Sequence, residues 1–266
     1  MEETSLEAFA IRLNTRYVAT RFVPPIVLDC GRSTIKRLRG QNSRPFSTMR
    51  PFVHEILGSH SQCQEDLVVD AILGGKRQGF YVDIGANDPM ELNNTLRFYK
   101  RGWNGINIEP LPLLFKRIQK HRPRDINLNL AVGLVDGELD FYAIDPDTLS
   151  TLDSQTAHEN LKRPGARLIE KRKIAVLRLE TVFDRYLNNH GIDFMSLDVE
   201  GYEREVLIGN NWQKYRPALI IIEITYGGEQ IVRMMEEHSY MLVYNNSLNG
   251  FFVDERSNIL DGGMSL

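Results

Sequence analysis

Carboxylates stand at the ends of four short apolar runs. They are Asp83 in Phe80-Tyr81-Val82-Asp83-Ile84-Gly85-Ala86-Asn87, Glu109 in Gly105-Ile106-Asn107-Ile108-Glu109-Pro110, Asp198 and Glu200 in Ser196-Leu197-Asp198-Val199-Glu200-Gly201, and Glu223 in Leu219-Ile220-Ile221-Ile222-Glu223. Acids in this setting have three uses. One is to accept hydrogen bonds from ribose hydroxyls. Another is to act as a base toward a substrate hydroxyl once burial has raised the carboxyl pKa toward neutrality. Clustered acids also hold hard divalent cations such as Mg²⁺ through oxygen ligands. Asp198 and Glu200, with Glu223 behind them, are the candidate bases, and the sequence leaves the base and the Mg²⁺ reading open. The six histidines have no zinc-ligand spacing, so no protein metal ligands are assigned.

The elements that would carry these acids follow from the runs themselves. Apolar residues this dense suit parallel strands buried on both faces, and Gly85 marks a tight turn or a close backbone approach. Ligands of open α/β sheets collect at the carboxyl ends of strands, so Asp83, Gly85, Ala86 and Asn87 are expected to line a pocket. Glu109 follows the glycine turn by about 20 to 25 residues, the interval at which such folds place a ribose-binding acid. The same acid also suits the start of a helix opened by Pro112. A third strand over Ile126 to Val132 would carry Asn129, Ala131 and Val132 toward an adenine ring.

Taken in order, these motifs closely resemble the FkbM-type methyltransferase family. The resemblance rests on Ser61-Gln62 with Glu65-Asp66, Val82-Asp83-Ile84-Gly85-Ala86-Asn87, Asn94-Thr95, Ile108-Glu109-Pro110, Ser196-Leu197-Asp198-Val199-Glu200-Gly201 and Arg216-Pro217 through Glu223. It implies an α/β class I methyltransferase fold: a Rossmann-like three-layer sandwich with a mostly parallel seven-stranded sheet and a reversed C-terminal hairpin strand. It also implies S-adenosylmethionine as methyl donor, and commonly O-methylation of a sugar, glycan or other small hydroxyl-bearing metabolite. Gln62, Asn94 and Pro110 join the donor site on this basis, and Asp198 borders both the donor's methionine end and the acceptor. One position departs from the family pattern. Pro89 stands where a second glycine is usual, and proline fixes φ and lacks an N–H, so the loop around the donor's methionine part cannot be identical.

The remaining chain bounds the organisation. With 266 residues, 42% of them hydrophobic, the chain can bury one sizeable core and still leave an extension. The extension is assigned to residues 1–52 and the methyltransferase-like domain to 53–266, across a linker rich in polar residues and proline. Residues 10 to 50 are basic, with Arg12, Arg16, Arg21, Arg32, Lys36, Arg37, Arg39, Arg44 and Arg50 against Asp29 alone. This arm raises an alternative, a non-catalytic binding protein on a methyltransferase fold. The net charge of −3 gives no general drive toward nucleic acid. Cys30 and Cys63 show no metal or redox spacing, which with the lack of a secretory signal or membrane span points to a reduced, cytoplasmic setting.

Leu139 to Ile144 is expected as a strand following the Asp136-Gly137 turn, in a hairpin with the preceding strand. Asp145 to Arg172 reads as a polar, irregular lid or acceptor loop, with Ser150, Thr151, His158 and Lys162 its notable side chains. His158 is an outside candidate for the base.

Overall fold

Alternation within the apolar runs decides which face of the sheet each side chain meets. In a strand, successive side chains point to opposite faces. Accordingly Val82, Ile84, Ile106, Met195, Leu197, Ile220, Ile222 and Phe252 join one buried cluster, while Tyr81, Phe194, Leu219, Ile221, Phe251 and Val253 join another on the opposite face. Both faces are therefore covered, as the uninterrupted apolar runs require.

A computed structural model of the chain describes residues 58–259. The basic extension assigned to residues 1–52 lies outside the described residues. In order, the elements are α1 (Glu65–Ile72), β1 (Phe80–Ile84), α2 (Leu96–Arg101), β2 (Asn104–Ile108), α3 (Pro112–His121), β3 (Ile126–Leu128), β4 (Ala131–Gly133), β5 (Gly137–Asp145), a 3₁₀ turn (Asp147–Leu149), α4 (Ser154–Asn160), β6 (Arg167–Arg178), α5 (Leu179–Tyr186), β7 (Phe194–Leu197), α6 (Glu203–Ile208), β8 (Leu219–Glu223), α7 (Gly228–Glu237), β9 (Tyr240–Asn245) and β10 (Asn249–Asp254).

Seven strands form the main sheet in the order β3-β2-β1-β7-β8-β10-β9. Every pairing is parallel except those of β10, which runs antiparallel to both β8 and β9. The order reverses between β2 and β7 around β1, which puts the switch point at the tip of β1. Helices α1 and α2 pack on one face through Val68, Val69, Ile72, Phe98 and Tyr99. Helices α5, α6 and α7 cover the other through Val182, Phe183, Val206, Leu207, Ile231, Val232 and Met235. This is the expected Rossmann-like α/β sandwich.

Three details differ from the sequence reading. The third run, Ile126 to Val132, is two strands in two sheets: β3 extends the main sheet, while β4 joins β6 and β5 in a separate three-stranded sheet. Asn129 lies at the break, its side-chain amide donating to the carbonyls of Glu109 (2.9 Å) and Pro110 (3.0 Å). The chain is thereby pinned at the β2 tip before it leaves the main sheet. Second, β5 does not pair with the strand before it; it runs antiparallel to β6, which in turn lies parallel to β4. The end of the expected irregular insertion, from Arg167 on, is thus strand β6, and α4 lies in its middle. Third, Asn249-Gly250, a pair that in sequence suits the turn of the hairpin formed by Met241 to Tyr244 and Phe251 to Asp254, is instead the start of β10. The turn is held instead by Asn246, whose Oδ1 accepts from Leu248 N (3.1 Å) and Asn249 N (2.7 Å).

Among the described residues no helix is long and apolar enough to cross a membrane. Cys63 is buried, and Cys30 lies outside the described residues.

Candidate active site

The tips of β1, β2 and β7 meet in a partly enclosed cleft. Its geometry begins at Gly85, with φ of 80°. A Cβ at this position would stand 1.8 Å from the Asp198 carbonyl oxygen, so only glycine lets the β1 tip pass the β7 tip this closely. Gly85 N and Ala86 N both donate to Ile108 O (3.0 and 3.1 Å), and Asp198 N donates to Ile84 O (3.0 Å). Three strand ends are thereby laced into one floor.

Glu109 is nearly fully buried, and each of its carboxylate oxygens takes a backbone N–H. Oε2 accepts from Asn87 (2.9 Å) and Oε1 from Leu111 (2.8 Å). Leu111 directly precedes α3, so the helix-start reading and the pocket reading describe the same carboxylate. Each oxygen keeps a further lone pair for a ligand. Burial raises the Glu109 pKa to about 7 against the pull of the two N–H donors. Asp83 is likewise buried, with its pKa raised to about 6 by desolvation although Thr95 Oγ1 donates to it (2.8 Å).

The acidic turn after β7 forms the opposite wall. Asp198 and Glu200 both line the cleft. The turn needs left-handed backbone at Glu200 (φ 53°) and Gly201 (φ 93°). It is held from beneath by Glu203, which accepts from Val199 N (3.0 Å) and from Gly201 N (3.1 and 3.2 Å). One carboxylate oxygen each of Asp198, Glu203 and Glu223 lies within 4.8 Å of the others. Glu223 Oε2 is buried with no hydrogen-bond partner. Although the Asp198 side chain is exposed in the cleft, the crowding of protein atoms around it and the neighbouring Glu223 charge raise its pKa above the carboxylate range, and burial and Glu203 push Glu223 up in turn. Like charges this close share a proton rather than both ionise. Glu200, raised by burial and then by Asp198 and Glu223, holds its own proton more firmly.

Gln62, Asp83, Gly85, Ala86, Asn87, Asn94, Glu109, Pro110, Ala131, Asp198 and Glu200 all face this cleft. Asn94 is oriented there by its Nδ2 donation to Ser196 Oγ (3.0 Å). Two of the predicted site residues do not line it. Asn129 is exposed and acts on the backbone of the β2 tip instead. Glu223 stands behind Asp198, touching the cleft only through that neighbour.

Val132, expected near the adenine, and Ser150 of the expected lid segment do line the cleft, whereas Leu130, Phe141 and Leu152 of the apolar wall and Asp147 and Thr148 beside Ser150 carry no signal in the sequence. Phe141 comes from β5, an expected strand whose place in a second sheet no local pattern announced, and the roof comes from the 3₁₀ turn after it and Ser150 beyond. Of the insertion's notable side chains, Ser150 reaches the cleft, whereas Thr151 is buried elsewhere and His158 and Lys162 are exposed away from it. Glu203 and Asn93 were also unassigned, although a Gly-x-Glu spacing after an acidic turn is the kind of signal that marks a carboxylate reaching back to turn amides.

The methyltransferase FkbM domain family matches residues 83–248. No curated protein matches the chain. Among solved structures, the methyltransferase FkbM from Methylobacillus flagellatus KT is similar over 77% of this chain and 59% of that one, with 12% identity and a TM-score of 0.43. The chain therefore spans about three fifths of that protein's length. With most of the described fold inside the matched span, this chain belongs to the FkbM methyltransferase family.

Proposed function

We propose that this protein uses S-adenosylmethionine to methylate a hydroxyl on a sugar, glycan or other small metabolite. The observation that carries the reading is Glu109, a buried carboxylate fixed by two backbone N–H groups at the floor of a cleft, facing a proton-sharing acid pair on the opposite wall. The residues present fit the donor. Glu109 offers paired oxygens to a ribose diol, and Leu130, Val132, Phe141 and Leu152 offer an apolar slot to a purine. Asp83 and Asp198 offer negative charge to the ammonium and sulfonium.

When bound, the donor supplies an electrophilic methyl group, so the protein has little covalent work to do. Its residues position the acceptor and exclude water, effects that together contribute roughly 7 to 11 kcal/mol at best. The Asp198–Glu223 pair takes the acceptor hydroxyl's proton, since a carboxylate whose pKa approaches neutrality is matched to that task. Glu200 is protonated beside it and donates a hydrogen bond rather than accepting a proton. The roof at Asp147, Thr148 and Ser150 closes the cleft over the acceptor.

Mg²⁺ is not required by this scheme. Glu203 is the most buried of the three clustered acids, and its oxygens are already taken by Val199 N and Gly201 N, so it serves the turn rather than a cation. Calorimetric titration of the full chain with S-adenosylmethionine and S-adenosylhomocysteine tests the donor, and a screen of hydroxyl compounds for methylated product tests the acceptor. Binding of NAD(P) in their place would make the protein a dinucleotide enzyme. Binding of neither would favour the non-catalytic reading built on the basic arm.

A further inference from the structure

Arg122 is a cation with 1% of its surface exposed, and its nearest carboxylate oxygen, Asp125 Oδ2, lies 3.9 Å away, beyond hydrogen-bond distance. Its guanidinium is directed elsewhere. Nε and Nη2 both donate to the Pro89 carbonyl (3.3 and 3.1 Å), Nη2 donates to Asn93 Oδ1 (2.7 Å), and Nη1 donates to Tyr81 OH (3.2 Å). Asn93 passes this grip on, its Nδ2 donating to Ala86 O (3.2 Å) and Asp88 O (3.1 Å). The loop so held contains Asn87 at φ 46° and Leu92 at φ 52°. Non-glycine residues stay in that region only where their surroundings over-determine them, and both line the cleft. The Pro89 carbonyl is the group on which Arg122 closes.

We propose that Arg122 is a positioning residue of the donor site, fixing through Pro89 and Asn93 the loop that receives the amino-acid end of the donor. The proposal rests on the donor reading above and deepens it. Removing a buried cation also costs stability, so what marks a positioning role is that its donors converge on the cleft loop rather than on a carboxylate. Asp125 would not be orphaned by replacement of Arg122: it accepts from Tyr81 OH (2.5 Å), Asn107 Nδ2 (2.9 Å) and Gly105 N (3.0 Å).

The test compares S-adenosylhomocysteine with 5′-methylthioadenosine, which retains the adenosine and lacks the amino-acid end. In Arg122→Met, calorimetry should show S-adenosylhomocysteine affinity falling about tenfold or more, with methylthioadenosine affinity changing less than about threefold, as expected for a displaced contact loop. Equal losses for both ligands, or no loss for either, would overturn the proposal. Should that variant fail to fold by circular dichroism, Arg122→Lys replaces it. Lysine keeps the charge but cannot fork between Pro89 O and Asn93 Oδ1, so the same selective loss is expected, and wild-type affinity for both ligands would overturn the proposal. If the wild-type chain itself binds neither ligand, the donor reading fails first and separately.

Discussion

Glu109 and Asp198 divide the chemistry at the residue scale. Replacing Glu109 by Gln keeps the shape but turns an NH₂ toward the N–H of Asn87 or Leu111, so one backbone donor loses its acceptor and the ribose loses one too. Hydrogen bonds to charged groups contribute about 1.5 to 3 kcal/mol each, so Glu109→Gln should weaken S-adenosylhomocysteine binding about tenfold to a hundredfold by calorimetry. Unchanged affinity in a folded variant would refute the ribose assignment. Asp198→Asn, at a residue that also faces the donor, should weaken that affinity as well, and at saturating donor it should lower kcat by about a hundredfold to ten-thousandfold, the usual contribution of a general base. The pH dependence has a definite sign. Because the acid pair's proton is held above the ordinary carboxylate range and the ionised form is the active one, kcat should rise with pH through the pair's apparent pKa. In Glu223→Gln the neighbouring charge is gone, and the acid limb of the kcat profile should move to lower pH. A limb that stays in place would remove Glu223 from the pair.

At the scale of elements, the β1 and β7 tips depend on one missing side chain. Gly85→Ala forces a methyl against the Asp198 carbonyl at a backbone angle that L residues rarely adopt. Denaturant unfolding should show a loss of about 3 kcal/mol or more, the range reached when a strained backbone position is filled. An alanine tolerated within about 1 kcal/mol would mean that the strand ends separate easily. This part of the architecture was legible in the sequence. The runs around Val82, Ile106, Leu197 and Ile221 are predominantly apolar because both faces of the sheet are covered, and a buried acid followed by a glycine is a local signal. The second sheet was not legible. β4 spans only Ala131–Gly133 and pairs with Val176 to Arg178, more than forty residues on, so its partner is set by tertiary packing that no periodicity records. Asn129 was misplaced for the same reason, since its role depends on where the chain turns away from β3. Arg122 escaped notice because Pro89 and Asn93, the residues it holds, come together with it only in the fold.

For the whole molecule, the cleft's carboxyls set a conflict between stability and catalysis. Asp83, Glu109 and Glu203 have folded-state pKa values raised to about 6, 7 and 7, with burial the largest cause in each case. In the unfolded chain they return to about 4, so between those values the native state holds more protons than the unfolded state. Stability from these groups is therefore fully present below the unfolded pKa and is lost as pH rises through the folded one. Asp70 and Asp254, held below the carboxylate range where Arg97, Arg101 and Arg216 offset the effect of burial, work oppositely and matter only at lower pH. Over about pH 5 to 7.5 the Tm of the ligand-free protein should thus fall as pH rises, the opposite direction to kcat. Glu109→Gln, which cannot ionise, should flatten that slope measurably in thermal melts at fixed ionic strength, and a slope identical to wild type would show that Glu109 is not a strained carboxyl in the folded state. Donor binding should restore part of the loss at neutral pH, because a ligand that binds only the native state adds stability by mass action, and one that places hydroxyl donors and positive charge against these acids favours their ionised forms.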